Sequence, residues 1–388
     1  MRLASRMSRL GTETAFEVLA AARGLEAQGR DIVHLEIGEP DFDTPGNIIE
    51  AATKALKSGK THYTPAAGIP ELRQVIARYV SRTRGIDVDP AQVVVVPGGK
   101  PIMFFVILAL AEEGDEVIYP NPGFPIYESM IRFTGATAIP MPLREQNQFG
   151  LDIEELQHLV SERTKMIIIN TPANPTGGVL SADDIKAIAK VAQERDLIVL
   201  ADEIYSRILY EGTFSSIASL PGMLERTVIL DGFSKTYAMT GWRLGYGVMP
   251  KELAEHVTRL VINANSCTAT FIQYAGIEAL EGPQDAVSDM VAAFQQRRDV
   301  IVEGLNLIPG FRCLKPRGAF YVFPNIEGTG MNAKELEQFL LHEAGVATLA
   351  GTSFGCLGQG HLRLSYANSI ENINKALERI DAAIRRVR

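Results

Sequence analysis

The chain has few cysteines, and their number and spacing exclude two kinds of small stabilised scaffold. Its 388 residues include three cysteines, Cys267, Cys313 and Cys356, an odd number that contains no C-x-x-C pair. This pattern is typical of neither a disulfide framework nor a zinc cluster. We therefore expect three free thiols, most of them buried. The six histidines are scattered without a metal-ligand spacing, so no metal site is expected.

An excess of positive charge and a long apolar run are also missing. Lysine and arginine number 38 against 46 for aspartate and glutamate, which gives a formal net charge of −8. Nucleic-acid-binding proteins normally carry a basic excess, so we expect no nucleic-acid partner. The longest apolar run, at 103–111, covers less than half of the roughly 20 residues that cross a bilayer. No apolar stretch follows the N-terminal arginines, so we expect neither a secretory signal nor a membrane partner and predict a cytoplasmic protein.

What the chain does contain is the composition of a globular protein, with 46% hydrophobic and 22% charged residues. At about 150 residues per domain, its length suggests two or three folding units. Short apolar runs alternate with amphipathic stretches, which predicts an α/β fold with a mostly parallel sheet. The strands lack strict polar alternation, as in sheets covered on both faces. Predicted strands are 92–96, 116–119, 165–170, 197–201 and 226–231, and predicted helices are 100–111, 181–195 and 251–261.

The last hundred residues show a different pattern, which we interpret as a smaller α+β domain. A long helix is predicted at 285–307, followed by strands at 318–323 and 361–367. A terminal helix is predicted at 368–386, with Asn368 and Glu371 as its capping box.

Ligands of parallel α/β sheets bind outside the carboxyl ends of the strands, so the segments that follow each strand are informative. Taken singly, each of these segments could be a turn, a helix cap or an exposed lysine. Two glycines before a helix also allow backbone N–H groups to approach a phosphate. The segments are Gly98-Gly99-Lys100, Asn174-Pro175-Thr176-Gly177, Asp202-Glu203-Ile204-Tyr205 and Ser234-Lys235, with Arg243 eight residues further on.

In this order and spacing, the segments resemble the fold-type I, pyridoxal-phosphate-dependent aminotransferases of class I/II. Within that family the chain is most similar to the bacterial aspartate/aromatic subgroup. Further motifs carry the resemblance: Gly38-Glu39-Pro40-Asp41-Phe42, His62-Tyr63-Thr64-Pro65, Gly68-Ile69-Pro70-Glu71-Leu72-Arg73, Met239-Thr240-Gly241-Trp242-Arg243 and Arg363.

The resemblance implies a domain organisation and an assembly. A large pyridoxal-phosphate-binding domain, with a mostly parallel sheet flanked by helices, is expected at 46–283. A smaller α+β domain is built from both chain ends, 1–45 and 284–388. The family also implies a homodimer whose active sites are shared between subunits.

Three residues are implied to be catalytic. Lys235 would form the covalent link to pyridoxal 5′-phosphate and later move the substrate proton, because a desolvated lysine loses its charge near neutral pH. Asp202 would pair with the ring nitrogen and keep it protonated. Tyr205 would donate a hydrogen bond to the phenolic oxygen of the cofactor.

The remaining implied contacts bind the cofactor and the substrate. Arg243 suits the phosphate because its guanidinium can form two parallel hydrogen bonds. Arg363 is implied to hold the substrate α-carboxylate. The other cofactor-binding residues are Gly99, Lys100, Phe124, Asn174, Ser234 and, from the partner subunit, Tyr63; Gly38 and Asn174 would also contact the substrate.

The resemblance implies transamination between an L-amino acid and a 2-oxo acid, of aspartate/glutamate or aromatic type, but two questions stay open. Lys100 lies where some relatives bind a distal carboxylate, yet it is equally suited to be a neighbour of the phosphate. Thr14 and Phe16 are candidates for the wall of the substrate pocket. A pyridoxal-phosphate-dependent β-lyase or synthase on the same fold is the alternative, because it would share Lys235, Asp202 and Arg243.

Overall fold

The computed structural model of the protein describes residues 1–387. The strands, numbered in chain order, are β1 (Val33–His34), β2 (Val93–Val96), β3 (Glu116–Asn121), β4 (Thr137–Pro142), β5 (Thr164–Asn170), β6 (Ile198–Asp202), β7 (Thr227–Gly232), β8 (Gly245–Val248), β9 (Tyr321–Val322), β10 (Val346–Ala347), β11 (Leu349–Ala350) and β12 (Leu362–Ser365). The α-helices are α1 (Ala15–Glu26), α2 (Gly46–Lys57), α3 (Pro70–Arg84), α4 (Lys100–Leu110), α5 (Ile126–Thr134), α6 (Ile153–Leu159), α7 (Ala182–Glu194), α8 (Lys251–Asn265), α9 (Thr270–Glu281), α10 (Asp285–Leu307), α11 (Ala333–Phe339) and α12 (Ile370–Val387).

A seven-stranded sheet forms the centre of the fold, in the order β2-β8-β7-β6-β5-β3-β4. β8 pairs antiparallel with both of its neighbours, β2 and β7. The remaining neighbours along the sheet pair in parallel. The mostly parallel sheet and the α/β fold class predicted from the sequence are therefore confirmed.

Helices cover both faces of this sheet, which explains why β2 is a run of four valines. Successive side chains of a strand point to opposite faces. Val93 and Val95 pack into a cluster with α3 and α9, whereas Val94 and Val96 pack into a second cluster with α4 and α8. All four valines are fully buried. Each contributes about 1.5–3 kcal/mol by leaving water.

A smaller α+β unit lies beside the sheet and uses both ends of the chain. β11, β12 and β9 form an antiparallel sheet, and β1 pairs in parallel with β10. One buried cluster joins Val33 and Leu35 near the N-terminus to Phe294 of α10 and Ile380 of α12. The predicted construction from both chain ends is confirmed, while the boundaries at 45/46 and 283/284 stay a prediction.

The five predicted strands of the large sheet are present with shifted ends, but two further strands escaped prediction. β4 lies at the edge of the sheet and is only partly buried. β8 contains two glycines, which are unusual within a strand. A Cβ at Gly245 would lie 2.6 Å from the carbonyl carbon of Gly98, so this strand needs glycine to approach the neighbouring loop.

In the smaller unit the predicted strands at 318–323 and 361–367 are shorter than expected, as β9 and β12. The predicted capping box of Asn368 and Glu371 is wrong. The hydroxyl of Ser369 accepts a hydrogen bond from the amide of Asn372, and Asn368 instead accepts one from the amide of Ser369. The helix begins one residue later than a cap at Asn368 would allow, because Ser369 satisfies the free amide of its first turn.

The cysteines are free, but the expectation that most are buried is wrong, because only Cys313 is fully buried and Cys356 is exposed. Across residues 1–387, no helix is both long enough and apolar enough to span a membrane. The same part of the chain contains no group of histidine, cysteine, aspartate and glutamate side chains that could hold a metal ion.

Candidate active site

A cavity of about 530 Å³ lies where the carboxyl ends of the parallel strands meet the smaller unit. Asp202 ends β6, Lys235 follows β7, and Arg363 comes from β12 on the opposite side. The structure brings together in its wall Gly38, Gly99, Lys100, Phe124, Asn174, Asp202, Tyr205, Ser234, Lys235, Arg243 and Arg363. Tyr63 does not line this cavity and is 88% exposed. The contact of Tyr63 with a partner subunit stays a prediction.

Lys235 is held at the boundary between the two units of the fold. Its Nζ donates a hydrogen bond to the carbonyl of Gly38 and lies 5.8 Å from the centre of the Phe320 ring. Burial lowers the pKa of Lys235 from its usual 10.5 to about 8; Arg363 acts in the same direction and Glu39 opposes it. At pH 7 roughly a tenth of such amines are uncharged, against fewer than about one in a thousand ordinary lysines.

Asp202 is a buried carboxylate with two hydrogen-bond donors. Oδ2 accepts from the hydroxyl of Tyr127 at 2.6 Å, and Oδ1 accepts from the amide of Ile204 at 3.2 Å. Burial raises the pKa of Asp202 to about 6, although the Tyr127 and Ile204 hydrogen bonds act to lower it. A desolvated carboxylate is stabilised by a cation placed beside it, so this site suits a protonated ring nitrogen.

Tyr205 belongs to a pair of buried phenols. Its hydroxyl lies 2.8 Å from the hydroxyl of Tyr321, and the two share one hydrogen bond. Burial raises the pKa of Tyr205 well above its usual 10. Both phenols therefore stay neutral at physiological pH and can act as hydrogen-bond donors.

Arg363 is buried and only partly paired. Its guanidinium carbon lies 4.6 Å from the centre of the Tyr321 ring and 4.9 Å from that of Phe354. Nη1 donates to Oδ1 of Asn174 at 3.2 Å, and Nη2 donates to the carbonyl of Glu36. Within residues 1–387, Nε has no hydrogen-bond acceptor. A buried cation with an unused N–H is suited to a carboxylate ligand.

Arg243 lies against the backbone at the start of α4. A Cβ at Gly98 would lie 2.2 Å from Nη2 of Arg243, so only glycine leaves room for the guanidinium. Arg243 itself has a φ of 58°, a left-handed conformation that costs about 1–3 kcal/mol in residues other than glycine. Nη1 donates to the carbonyl of Thr240 at 2.6 Å. A guanidinium beside a helix N-terminus makes an anion site.

A buried ionic network supports the strand ends beneath the cavity. Nε of Arg84, at the end of α3, donates to Glu203 at 3.0 Å, and its Nη2 donates to Asp231 at 2.8 Å and to Ser206 at 2.9 Å. The side chains of Arg84 and Glu203 are each 2% exposed. Removing one partner of such a pair usually costs about 3–5 kcal/mol, so this network holds the segment after β6 against the end of β7.

Sequence reasoning missed several residues of this region. Tyr127 lies on the amphipathic helix α5, where an aromatic residue is typical of the core, so nothing in the sequence marks it. Glu13 and Arg84 come from segments that carried no recognised pattern. Tyr321 could have been found, since it lies in the predicted strand at 318–323. That strand pairs with β12, where the partner of Tyr321 is Ser365, two residues after Arg363.

The donor set fits pyridoxal phosphate, the cofactor that the resemblance implies. The cavity offers an amine with a lowered pKa at Lys235, a buried carboxylate at Asp202 and the anion site of Arg243. The amine matches the aldehyde of the cofactor, the carboxylate matches its basic ring nitrogen, and the anion site matches its phosphate. The unused N–H of Arg363 leaves a further place for a substrate carboxylate.

Comparison with known proteins gives consistent similarities over almost the whole chain. The family model described as "Aminotransferase class I and II" matches residues 30–380. An aspartate aminotransferase of Pyrococcus horikoshii is 42% identical over 358 residues, which cover 91% of each chain. Aromatic-amino-acid aminotransferase 2 of Thermococcus litoralis is 39% identical over 99% of each chain. The structure of aspartate aminotransferase from Thermus thermophilus with maleate superposes with a TM-score of 0.95 at 39% identity, covering 99% of this chain and 100% of that one.

Proposed function

Because the chain belongs to the class I and II aminotransferases and transfers amino groups between amino acids and 2-oxo acids, we propose that it does so with pyridoxal phosphate bound in the cavity. The observation that carries the proposal is a lysine with a lowered pKa sharing one cavity with a buried carboxylate and two arginines. We further propose that the amino donor is of the aspartate/glutamate or the aromatic type. A cytoplasmic location stays a prediction.

Several residues would hold the cofactor. When bound, pyridoxal phosphate supplies an aldehyde that bonds to amines and a ring that accepts electrons from the breaking bond at the substrate α-carbon. Arg243, the backbone of Gly99 and Lys100, and the hydroxyl of Ser234 would bind the phosphate. Asp202 would hold the ring nitrogen in its protonated form, and Phe124 would cover the ring.

Lys235 would act both as the attachment point and as the base. Its lowered pKa makes the free amine available near neutral pH, and the same amine can then take the proton from the substrate α-carbon. Tyr205 and Asn174 would donate hydrogen bonds to the phenolic oxygen. The phenol of Tyr321 orients that of Tyr205 through their shared hydrogen bond.

Arg363 would orient the substrate by its α-carboxylate, together with Asn174 and the backbone of Gly38. The relatives support an acidic or aromatic substrate, since one is an aspartate and another an aromatic-amino-acid aminotransferase. Lys100 lines the same cavity, so the two ends of a dicarboxylic amino acid would each meet a cation.

A panel of donors and acceptors tests this function. Protein loaded with pyridoxal phosphate is mixed with aspartate, glutamate, phenylalanine or tyrosine and with either 2-oxoglutarate or oxaloacetate. We expect the new amino acid to appear in a one-to-one ratio with the donor consumed, without free ammonia. Ammonia and pyruvate released from an amino acid with a β leaving group, in the absence of an acceptor, would instead support the β-lyase alternative.

We also propose a homodimer in which Tyr63 reaches the phosphate in the partner's site. Tyr63 is 88% exposed in the single chain, so its side chain is accessible to a partner subunit. If the site is shared, a mixture of Tyr63→Ala and Lys235→Ala chains forms hybrid dimers with one intact site. Refolding the two variants together should therefore restore activity that each lacks or shows only weakly alone.

The control for this experiment is each variant refolded with itself, and sedimentation shows whether dimers form. An activity in the mixture no higher than the average of the two separate variants would contradict the shared site. The Tyr63→Ala variant should also bind pyridoxal phosphate more weakly than the parent protein, as measured by titration.

A further inference from the structure

Glu13 forms an ion pair with Lys100 in the wall of the cavity. The carboxylate accepts a hydrogen bond from Nζ of Lys100, and both residues line the cavity. Their side chains are 17% and 47% exposed. Nζ of Lys100 also lies 5.3 Å from the centre of the Phe124 ring. In the absence of substrate, the ammonium group of Lys100 therefore already has a carboxylate partner and lies near an aromatic ring.

Tertiary contacts hold Glu13 at this position, although 87 residues separate it from Lys100 in the sequence. The amide of Gly11 donates to the hydroxyl of Ser129 on α5 at 2.8 Å. Thr14 and helix α1 follow directly, and Val18 and Ala22 of that helix are buried. The segment that carries Glu13 is thus anchored on both sides, which places the carboxylate beside Lys100 without a large loss of entropy on pairing.

Amino acids with different side chains would meet this ion pair differently. An acidic substrate held by Arg363 would bring its second carboxylate towards a lysine that already has an anionic partner. The carboxylate of Glu13 would then repel it or have to be displaced. Because the lysine of this ion pair is half-exposed, solvent weakens the pair enough for such competition. An aromatic substrate would instead contact Phe16, Met103 and Phe124, which line the same cavity.

We infer that Glu13 is a specificity-determining residue, an internal carboxylate that competes with the distal carboxylate of the substrate for Lys100 and so favours aromatic over acidic amino acids. The inference rests on the proposed function. It assigns to Glu13 of this chain the choice between acidic and aromatic substrates, which the family resemblance leaves open. The proposed contacts of the cofactor are the same with or without this role of Glu13.

The test is the substitution Glu13→Gln, which keeps the size of the side chain and removes its charge. The half-reaction is followed by the visible absorbance of the cofactor after adding aspartate or phenylalanine alone. We expect the ratio of kcat/KM for aspartate to that for phenylalanine to rise about tenfold. The dissociation constant of succinate, a dicarboxylate without an amine, should fall about tenfold in a calorimetric titration, while that of 3-phenylpropionate should change less.

Glu17→Gln is the matched control, because Glu17 is an exposed acidic residue in the first turn of α1 and the substitution removes the same charge. An unchanged or lowered ratio in Glu13→Gln, or an equal rise in Glu17→Gln, would overturn the inference. If the parent protein reacts with neither amino acid, the proposed function fails instead. The succinate titration still tests Glu13 in that case, since it needs no turnover.

Discussion

Replacing Lys235 with alanine is expected to abolish transamination, with a loss of kcat on the order of 10⁵-fold or more, as when other enzymes lose a covalent nucleophile. The side chain would supply both the covalent attachment and the base, and no other amine of the cavity can replace it. Lys100 lines the same cavity but is paired with Glu13.

Borohydride reduction separates the two roles of Lys235. In the parent protein, reduction followed by peptide mass spectrometry should find a pyridoxyl group on Lys235, and the Lys235→Ala variant should carry none. Lys251→Ala is the matched control, because Lys251 is an exposed lysine that pairs with Asp89 on the surface. A parent protein that carries the adduct on another lysine, or a Lys235→Ala variant with full turnover, would refute the assignment.

Replacing Asp202 with asparagine is expected to lower kcat by about 10²–10³-fold, the loss seen when one preorganised electrostatic contact is removed. Asparagine has nearly the same shape, so the variant should fold and still bind the cofactor. It lacks the negative charge that would keep the ring nitrogen protonated. The buried position of Asp202 makes this charge effective, because water screens it little.

Tyr127→Phe provides the comparison for this variant. It removes the 2.6 Å hydrogen bond to Asp202 but leaves the charge in place, so the loss should be smaller, roughly tenfold. The measurement is the single-turnover rate with a saturating amino acid, with thermal unfolding as a check on the fold. If Asp202→Asn retained the parent rate, or if Tyr127→Phe lost more activity than Asp202→Asn, the proposed electrostatic role would be wrong.

The residues that the sequence identified share a local signal. Asp202 directly ends a buried strand, Lys235 follows another, and the glycines before Lys100 begin a helix. A strand end and a helix start are short-range features, and in a parallel sheet they come to the same edge wherever the strands pair. Their convergence could therefore be predicted before the structure was known, while their chemical roles stay predictions.

The residues that the sequence did not identify depend on long-range contacts. Tyr127 reaches Asp202 across 75 residues, and Arg84 reaches Asp231 across 147. Strand β8 also escaped prediction. Its glycines are rare in strands, and they occur here because the backbone of a distant loop lies too close for a side chain. The Asn368 capping box failed for a local reason, since the hydroxyl of Ser369, and not the side chain of Asn368, accepts the hydrogen bond from the first turn of α12.

The amino-acid sequence by itself determined the α/β fold class, the family and the positions of the groups that follow each strand, because all of these depend on residue order and short-range periodicity. Only the tertiary structure decided which groups are paired and which are left unpaired. It buried Asp202 and partly buried Lys235, which shifted the pKa of each, and left Nε of Arg363 without an acceptor in the described chain. It also placed Glu13 against Lys100. Burial and charge pairing arise from the packing of distant segments, and no local pattern encodes them.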